Sequence, residues 1–351
     1  MELANGLRDA GYHVEMAVTS WTNGEFPRRL KGLNHPYTQM RLGYISGTPR
    51  FNEMRMTAHQ LVYVPALWST YGRFIHRTAP RKIIHTNWHH LLLLLPFLRR
   101  NRDLFWLHEV IPNKSRYRKL FSIFARRLSC FVAVSHAVRE SLTALGISPD
   151  LITVIHNGLS EFPVSPQSGD QLNVRIGIVG QVGPWKGHED LLVAFARLVP
   201  ECPNCELHIF GADSGGYVEY LRNLISAWKL LDRVSWHGFI SDPSEIYSKI
   251  DICVVPSRFK EPFGLVAVEA AIAGVPCVAT NQGGLPEIIQ DGVTGLLVEP
   301  DNPLRLSEAL KQLVKNPVLR SKLGAAAKLR AKDHFSRNQF VAEFAALLEK
   351  C

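Results

Sequence analysis

Short apolar runs alternate with longer amphipathic stretches along the first half of the chain. The runs are rich in β-branched and aromatic residues, as buried strands are, whereas 136–146 has the apolar spacing of a helix. Such alternation is typical of βαβ units and therefore predicts a parallel sheet flanked by helices. The predicted strands of this half are 14–19, 82–86, 104–109 and 131–135.

The same alternation restarts after the segment 161–171, which is rich in Pro, Ser and Gly and lacks a hydrophobic period. We interpret this segment as a linker between two doubly wound, Rossmann-like domains, 1–160 and 172–335, which face each other across a cleft. Residues 336–351 are expected to form a C-terminal helix that packs back toward the first domain. The predicted strands of the second half are 174–180, 206–211, 233–239, 251–257 and 276–280.

The beginning of the chain predicts a helix, because Leu3, Leu7 and Ala10 are spaced along one helical face. The strand at 14–19 would then be the second strand of its domain. In a doubly wound sheet of order 3-2-1-4-5 the first strand is central. We therefore expect that the N-terminal strand is missing here, and that an upstream extension would improve solubility and activity.

The composition is that of a globular protein, with 46% hydrophobic and 20% charged residues. The longest apolar run, 91–98, is too short to span a bilayer, and the first residues do not resemble a signal peptide. We therefore expect a cytoplasmic protein that is soluble or peripheral at the inner face of the membrane. Cys202 and Cys205 form a CxxC without a second pair, which favours an ordinary loop over a zinc or redox site.

Charge is distributed unevenly along the chain. Residues 1–160 hold 21 Lys+Arg against 9 Asp+Glu, whereas 161–351 hold 19 against 22, so the net charge of +9 is +12 plus −3. This asymmetry predicts an anionic partner for the first half. No RNA- or DNA-binding motif accompanies the charge, so an anionic membrane surface or an acidic, lipid-linked substrate is favoured over nucleic acid. A basic solvated face without a partner remains the simpler alternative.

Several catalytic classes lack their motifs in this chain. The glycines at 177–183 do not follow the dinucleotide fingerprint GxGxxG, and 183–187 lacks the Ser/Thr of a Walker loop. Neither HExxH nor GxSxG occurs, which disfavours zincins and serine hydrolases. His85, His89 and His90 have no accompanying carboxylate repeat, so they only weakly suggest a metal site.

Glu261 and Glu269 are separated by seven residues at a predicted loop-to-helix junction. If the helix begins near Gly264 or Leu265, its free N-terminal amides form an anion site that suits a diphosphate. Carboxylates on either side would repel phosphate but can accept hydrogen bonds from sugar hydroxyls. The arrangement therefore suggests a nucleotide sugar, with one Glu for each sugar ring. An ordinary helix-dipole partner and a surface carboxylate are the alternatives.

Two further residues follow predicted strands at the end where ligands bind. Lys186 lies between a strand and a helix, where a flexible cation can reach phosphate oxygens. His108 closes the strand 104–109. Taken alone, either residue could equally have an ordinary structural role.

Residues 173–303 resemble the donor domain of glycosyltransferase family 4, the retaining GT-B enzymes. The resemblance rests on VGQVGPWKGHEDLLVAF, FKEPFGLVAVEAAIAGVPCVAT and GGLPEIIQDGVTGLLVEPDNP, and 131–159 is similar to the end of that family's acceptor domain. It implies an α/β GT-B fold and a hexosyltransferase that needs no metal or other cofactor. The leaving phosphate would take the acceptor's proton on the face that the acceptor attacks.

The resemblance also implies roles for individual residues. His108, Glu261 and Lys186 match the positions beside the transferred sugar and the diphosphate. The implied donor-binding residues are Gly183, Gln181, Arg258, Phe263, Gly264, Leu265, Val266 and Glu269. Gln181 stands where the family often has Arg, a loss that Arg258 or Lys260 would have to compensate.

The sequence thus predicts a retaining glycosyltransferase that moves a hexosyl group to a glycan or lipid-linked acceptor in polysaccharide or glycoconjugate biosynthesis. A UDP-sugar is the expected donor. Two alternatives remain open: a sugar-phosphate synthase or phosphorylase of the same fold, and a nucleotide-sugar-binding subunit without turnover.

Overall fold

The computed structural model describes residues 1–21, 24–32, 34–45, 51–164, 173–213 and 215–350. Two compact units divide the chain. The first contains Met1–Val134, Val138–Ile155 and Val341–Cys351, and the second contains Ser135–Ala137 and His156–Phe340. Most of the predicted linker, residues 165–171, lies outside the described residues.

The first unit contains two parallel sheets, of order β1-β2 and β3-β4-β5-β6. Its strands are β1 (Met16–Thr19), β2 (Tyr37–Met40), β3 (Ile83–His85), β4 (Asp103–Leu107), β5 (Phe131–Ala133) and β6 (Ile152–Val154). Its helices are α1 (Glu2–Asp9), α2 (Glu25–Gly32), α3 (Phe51–Val62), α4 (Val64–Thr78), α5 (Trp88–Leu93), α6 (Ser115–Ala125) and the greater part of α7 (His136–Ala144).

The second unit is built on one six-stranded parallel sheet of order β12-β11-β10-β7-β8-β9. Its strands are β7 (Val174–Val179), β8 (Cys205–Phe210), β9 (Val234–Gly238), β10 (Ile252–Val255), β11 (Cys277–Thr280) and β12 (Gly295–Val298). Its helices are α8 (His188–Leu198), α9 (Tyr217–Ala227), α10 (Pro243–Tyr247), α11 (Leu265–Ala273), α12 (Leu285–Ile288), α13 (Pro303–Lys315) and α14 (Pro317–His334). The chain ends in α15 (Arg337–Lys350), which begins in this unit and enters the first unit at Val341.

The predicted α/β class with parallel sheets is confirmed, and each strand predicted above is present at its place. The core of the second unit is formed by apolar residues of the central strands, such as Ile176, packed against residues of α8 and α13, such as Phe195 and Leu310. Short side-chain caps fix several helix starts, as where Asn87 accepts from the His89 amide. No described helix is long and apolar enough to cross a membrane.

The start of the chain forms the predicted helix, α1, followed by β1. Within the described residues, β1 is paired with β2 and β3 is paired with β4, so β1 and β3 are the end strands of separate sheets. The expectation that a further strand precedes α1 stays a prediction.

Candidate functional site

The strand order of the second unit creates a switch point beside β7. The chain proceeds from β7 outward to β8 and β9, then returns to place β10 on the other side of β7. In open parallel sheets, ligands bind where the order reverses, outside the carboxyl ends of the strands. Because β10 pairs with β7, the segments that follow these two strands lie side by side. Together, the loop after β7 and the loop and helix α11 after β10 carry all the predicted site residues except His108.

Lys186 and Glu261 meet at this switch point. Lys186 closes a short 3-10 helix after β7, and its Nζ lies 2.6 Å from Oε1 of Glu261 in the loop after β10. The same carboxylate oxygen accepts from the Ser257 hydroxyl at 2.5 Å. Ser257 is buried and its own carbonyl accepts from Thr280, so it anchors Glu261 to the sheet. Sequence reasoning missed Ser257.

The two glycines after β11 contact the backbone of the loop that carries Glu261 and hold it in place. Gly284 donates its amide to the Glu261 carbonyl at 2.8 Å. Gly283 adopts φ +62°, and a Cβ there would collide with the Glu261 backbone. Only glycine permits this approach, which explains the GG pair physically.

Helix α11 begins at Leu265, as the sequence predicted, with Gly264 as its N-cap at φ +116°. Ala267 and Val268 donate to the Gly264 carbonyl, so the amides of Leu265 and Val266 precede the internal hydrogen bonds of the helix. Phe263 is buried and ties this turn to the core. The amides and the helix dipole give the site a positive potential suited to an anion.

Glu269 lies one turn into α11 and is partly buried. Its Oε2 is 3.1 Å from the hydroxyl of Tyr247, the last residue of α10. Burial raises the pKa of Glu269, and the Tyr247 hydrogen bond opposes that rise. Tyr247 is another residue that sequence reasoning missed.

Arg258 is engaged by carboxylates. Its guanidinium donates twice to Asp190 on α8, at 2.7 Å each, and once to Glu189, and these partners raise its pKa. Its amide donates to the Trp185 carbonyl at 2.9 Å, which ties the Lys186 turn to the loop after β10. Gly183 is the N-cap of that turn. The structure thus gives Arg258 a bracing role, whereas Gln181 and Lys260 are exposed.

His108 belongs to the first unit, where it directly follows β4. Its ring contacts Trp106 with centroids 4.2 Å apart. Burial lowers the pKa of His108 to about 4, so the imidazole is neutral at physiological pH. A neutral imidazole can donate and accept hydrogen bonds without repelling a cation.

One cluster in the described part of the chain could hold a metal ion: His136, His156 and Glu287, whose ligand atoms lie within 4.8 Å of one another. Glu287 is already well bonded, since it accepts from the amides of His136 and Ala137 at 2.8 and 3.0 Å and from His156 at 2.8 Å. Through these bonds Glu287 caps the N-terminus of α7, and this role accounts for the close approach of the three side chains. His85, for which a metal role was weakly suggested, is instead bonded to buried Asp103 at 2.7 Å.

Both halves of the chain match glycosyltransferase family models. Residues 170–330 match the family described as Glycosyl transferases group 1, and residues 1–161 match Glycosyltransferase Family 4. Among curated relatives, an uncharacterised glycosyltransferase of Methanocaldococcus jannaschii is 34% identical over 49% of this chain and 47% of its own length. The D-inositol 3-phosphate glycosyltransferase of Arthrobacter is 38% identical over 48% of this chain and 42% of its own. The chain thus spans about half the length of these relatives.

Solved structures resemble the whole chain. HepE of Anabaena in complex with UDP and glucose has a TM-score of 0.83 at 24% identity, over 100% of this chain and 96% of its own. Sucrose-phosphate synthase of Thermosynechococcus elongatus has a TM-score of 0.77 at 22% identity, over 99% of this chain and 91% of its own. At this level of identity the likeness concerns the fold, and it confirms the predicted GT-B fold of two Rossmann-like domains.

Proposed function

The chain belongs to the group 1, family 4 glycosyltransferases, and from that membership we propose that it transfers a hexosyl group from a nucleoside-diphosphate sugar. The acceptor is a glycan or a lipid-linked sugar in polysaccharide or glycoconjugate biosynthesis. The observation that carries the proposal is the meeting of Lys186, Glu261 and the start of α11 at the switch point. UDP is the favoured nucleotide, since HepE of the same fold has been solved with UDP and with UDP-glucose.

In this proposal the diphosphate binds at the amides of Gly264, Leu265 and Val266, where the dipole of α11 favours negative charge. Lys186 leaves Glu261 and pairs with the phosphates, and Glu261 is then free to accept from hydroxyls of the donor sugar. Glu269 accepts from the ribose hydroxyls. Gly183, Gln181, Phe263 and Arg258 shape and brace the surrounding loops.

The reaction breaks the bond between the sugar C1 and the phosphate oxygen and forms one between C1 and the acceptor oxygen. The acceptor proton passes to the departing diphosphate on the same face, which retains the anomeric configuration. Lys186 and the α11 amides stabilise the charge that develops on the leaving group, without a metal. His108, neutral at physiological pH, contributes a hydrogen bond beside the transferred sugar.

The decisive test measures transfer and hydrolysis with a panel of UDP-, GDP- and ADP-sugars, with EDTA present. Lys186→Ala is expected to lower turnover by roughly 10²–10³ through lost charge stabilisation. Lys249→Ala is the matched control, because Lys249 is also 2.6 Å from a glutamate oxygen but lies on the surface. A wild-type protein that binds donors but neither transfers nor hydrolyses them would contradict the proposal, as would equal effects of the two variants.

We further propose that the first unit attaches reversibly to an anionic membrane surface at the cytoplasmic face. Helix α6 and its ends present a cluster of exposed basic side chains: Lys114, Arg116, Arg118, Lys119, Arg126 and Arg127. Each basic residue near an anionic surface contributes about 1 kcal/mol. Nucleic acid is not a proposed partner.

Sedimentation with phosphatidylserine vesicles tests the attachment. Binding is expected to be lost at high salt and in the Arg116→Glu/Arg118→Glu/Lys119→Glu variant. Charge reversal of Lys322, Lys328 and Lys332, exposed on α14 of the second unit, serves as the control. Equal binding to neutral vesicles, or equal losses in both variants, would rule the attachment out.

A further inference from the structure

Tyr247 carries a polar hydroxyl in a fully enclosed place. Its side chain is 0% exposed, and its ring stacks on Phe162 with centroids 6.0 Å apart. A phenylalanine would fill the same volume without a polar atom to satisfy. Burying a hydroxyl is unfavourable unless it is hydrogen-bonded, so its partners indicate what it does.

Both partners of the Tyr247 hydroxyl lie on α11. One is Oε2 of Glu269 at 3.1 Å, and the other is the carbonyl oxygen of Val266 at 3.0 Å. Val266 and Glu269 are three residues apart and therefore neighbours on one helical face. Both partners are acceptors, so the hydroxyl shares its single proton between them. This shared contact links the first turn of α11 to the carboxylate one turn later, and fixes the direction of that carboxylate relative to the helix start.

In the part of the chain that the structure describes, burial raises the pKa of Glu269 and the hydrogen bond from Tyr247 opposes that rise. Cys253 on β10 and Cys277 on β11 lie near this pair. The hydrogen bond with Cys277, together with burial, raises the pKa of the Cys253 thiol, which is therefore uncharged. The pKa of Tyr247 itself is raised by burial, so its hydroxyl keeps the proton that it donates.

We propose that Tyr247 is a positioning residue for nucleotide binding: its hydroxyl directs the Glu269 carboxylate toward the ribose hydroxyls of the donor. This inference rests on the proposed function. It adds a residue from α10, outside the segment from Glu261 to Glu269, to the machinery that selects a ribonucleotide donor.

The test is Tyr247→Phe, which removes one oxygen and keeps the packed ring. Loss of a hydrogen bond to a charged group predicts about a tenfold rise in donor KM, with kcat changed less than twofold. The pKa of Glu269, followed by NMR on protein with ¹³C-labelled glutamate, is expected to rise. The loss of donor affinity on acidification should accordingly begin at higher pH than in the wild type.

Tyr71→Phe is the matched control, because Tyr71 is also buried but its hydroxyl has no hydrogen-bond partner among the described residues. That variant is expected to keep the wild-type KM. In a Glu269→Gln background, Tyr247→Phe should add little further effect, because the two residues act as one unit. An unchanged KM and Glu269 pKa in Tyr247→Phe, or a full effect in the Glu269→Gln background, would overturn this inference alone. A wild-type protein that binds no nucleotide sugar would overturn the proposed function as well.

Discussion

The pairing of Lys186 with Glu261 predicts an unusual response to substitution of the glutamate. In Glu261→Gln the amide oxygen still accepts from Ser257, but the lysine loses the carboxylate that competes with phosphate. UDP should therefore bind several-fold more tightly, whereas turnover falls by roughly 10²-fold because the donor sugar loses its charged acceptor. Calorimetric titration with UDP and steady-state kinetics measure the two effects. Weaker UDP binding in this variant would contradict the interpretation.

The raised pKa of Glu269 predicts that this residue lowers the stability of the fold while it serves donor binding. Because burial raises its pKa in the folded state, the folded protein binds this proton more tightly than the unfolded chain does. The resulting stabilisation is present at low pH and is lost as pH rises through the raised pKa. Glu269→Gln should thus raise the free energy of unfolding at pH 8 by about 1.4 kcal/mol for each unit of pKa shift, and weaken UDP binding.

Urea unfolding at pH 8 and at pH 4 measures the difference between wild type and Glu269→Gln. The two proteins should converge at the lower pH, where the wild-type carboxyl is protonated. A variant that is less stable than the wild type at pH 8 would show that the charged form is favoured in the fold.

At the scale of elements, the turn after β11 is predicted to hold the loop that carries Glu261 in its position. Gly283→Ala would push a Cβ into the backbone of Glu261, while Gly292→Ala introduces the same residue at φ +70° with open space around it. Both variants should lose about 1–2 kcal/mol for a left-handed alanine. Gly283→Ala should in addition lose most of its turnover, as kinetics and thermal unfolding will measure. Equal turnover in the two variants would argue against the coupling.

The sequence predicted elements better than it predicted contacts. The start of α11 followed from Gly264 and an apolar run, and most strands followed from their β-branched runs. The strands β2, β6 and β12 were not singled out; in β2, YTQM, polar residues interrupt the apolar run that marked the other strands.

Pairings between distant parts of the chain were also out of reach. Lys186 meets Glu261 only because β10 returns beside β7, and Tyr247 meets Glu269 only because α10 packs on α11. Arg258 carried a charge that suited phosphate, yet the fold supplies Asp190 as its partner. The resemblance to the family identified the segment from Glu261 to Glu269, whereas the partners of these residues became known only from the tertiary structure.

For the whole molecule, the return of α15 to the first unit predicts an effect on the stability of that unit. Phe344 is 0% exposed, and its ring lies 5.0 Å from that of Trp106. Phe344→Ala should lower stability by about 3–5 kcal/mol and the thermal midpoint by roughly 10 °C. Circular dichroism on heating measures the shift, with exposed Leu329→Ala as the control. A midpoint within a degree of wild type would mean that α15 contributes little to the first unit.

The path of α15 also bears on how such genes can recombine. The first unit is encoded in three separate stretches, of which the last, Val341–Cys351, follows the entire second unit. A crossover that replaced everything downstream of the first half would bring a foreign helix end against Gly6, whose missing side chain makes room for Val341. A hybrid would therefore combine a residue 6 and a residue 341 that do not fit each other, unless both codons came from the same parent. Among related sequences, we accordingly expect changes at positions 6 and 341 to occur together.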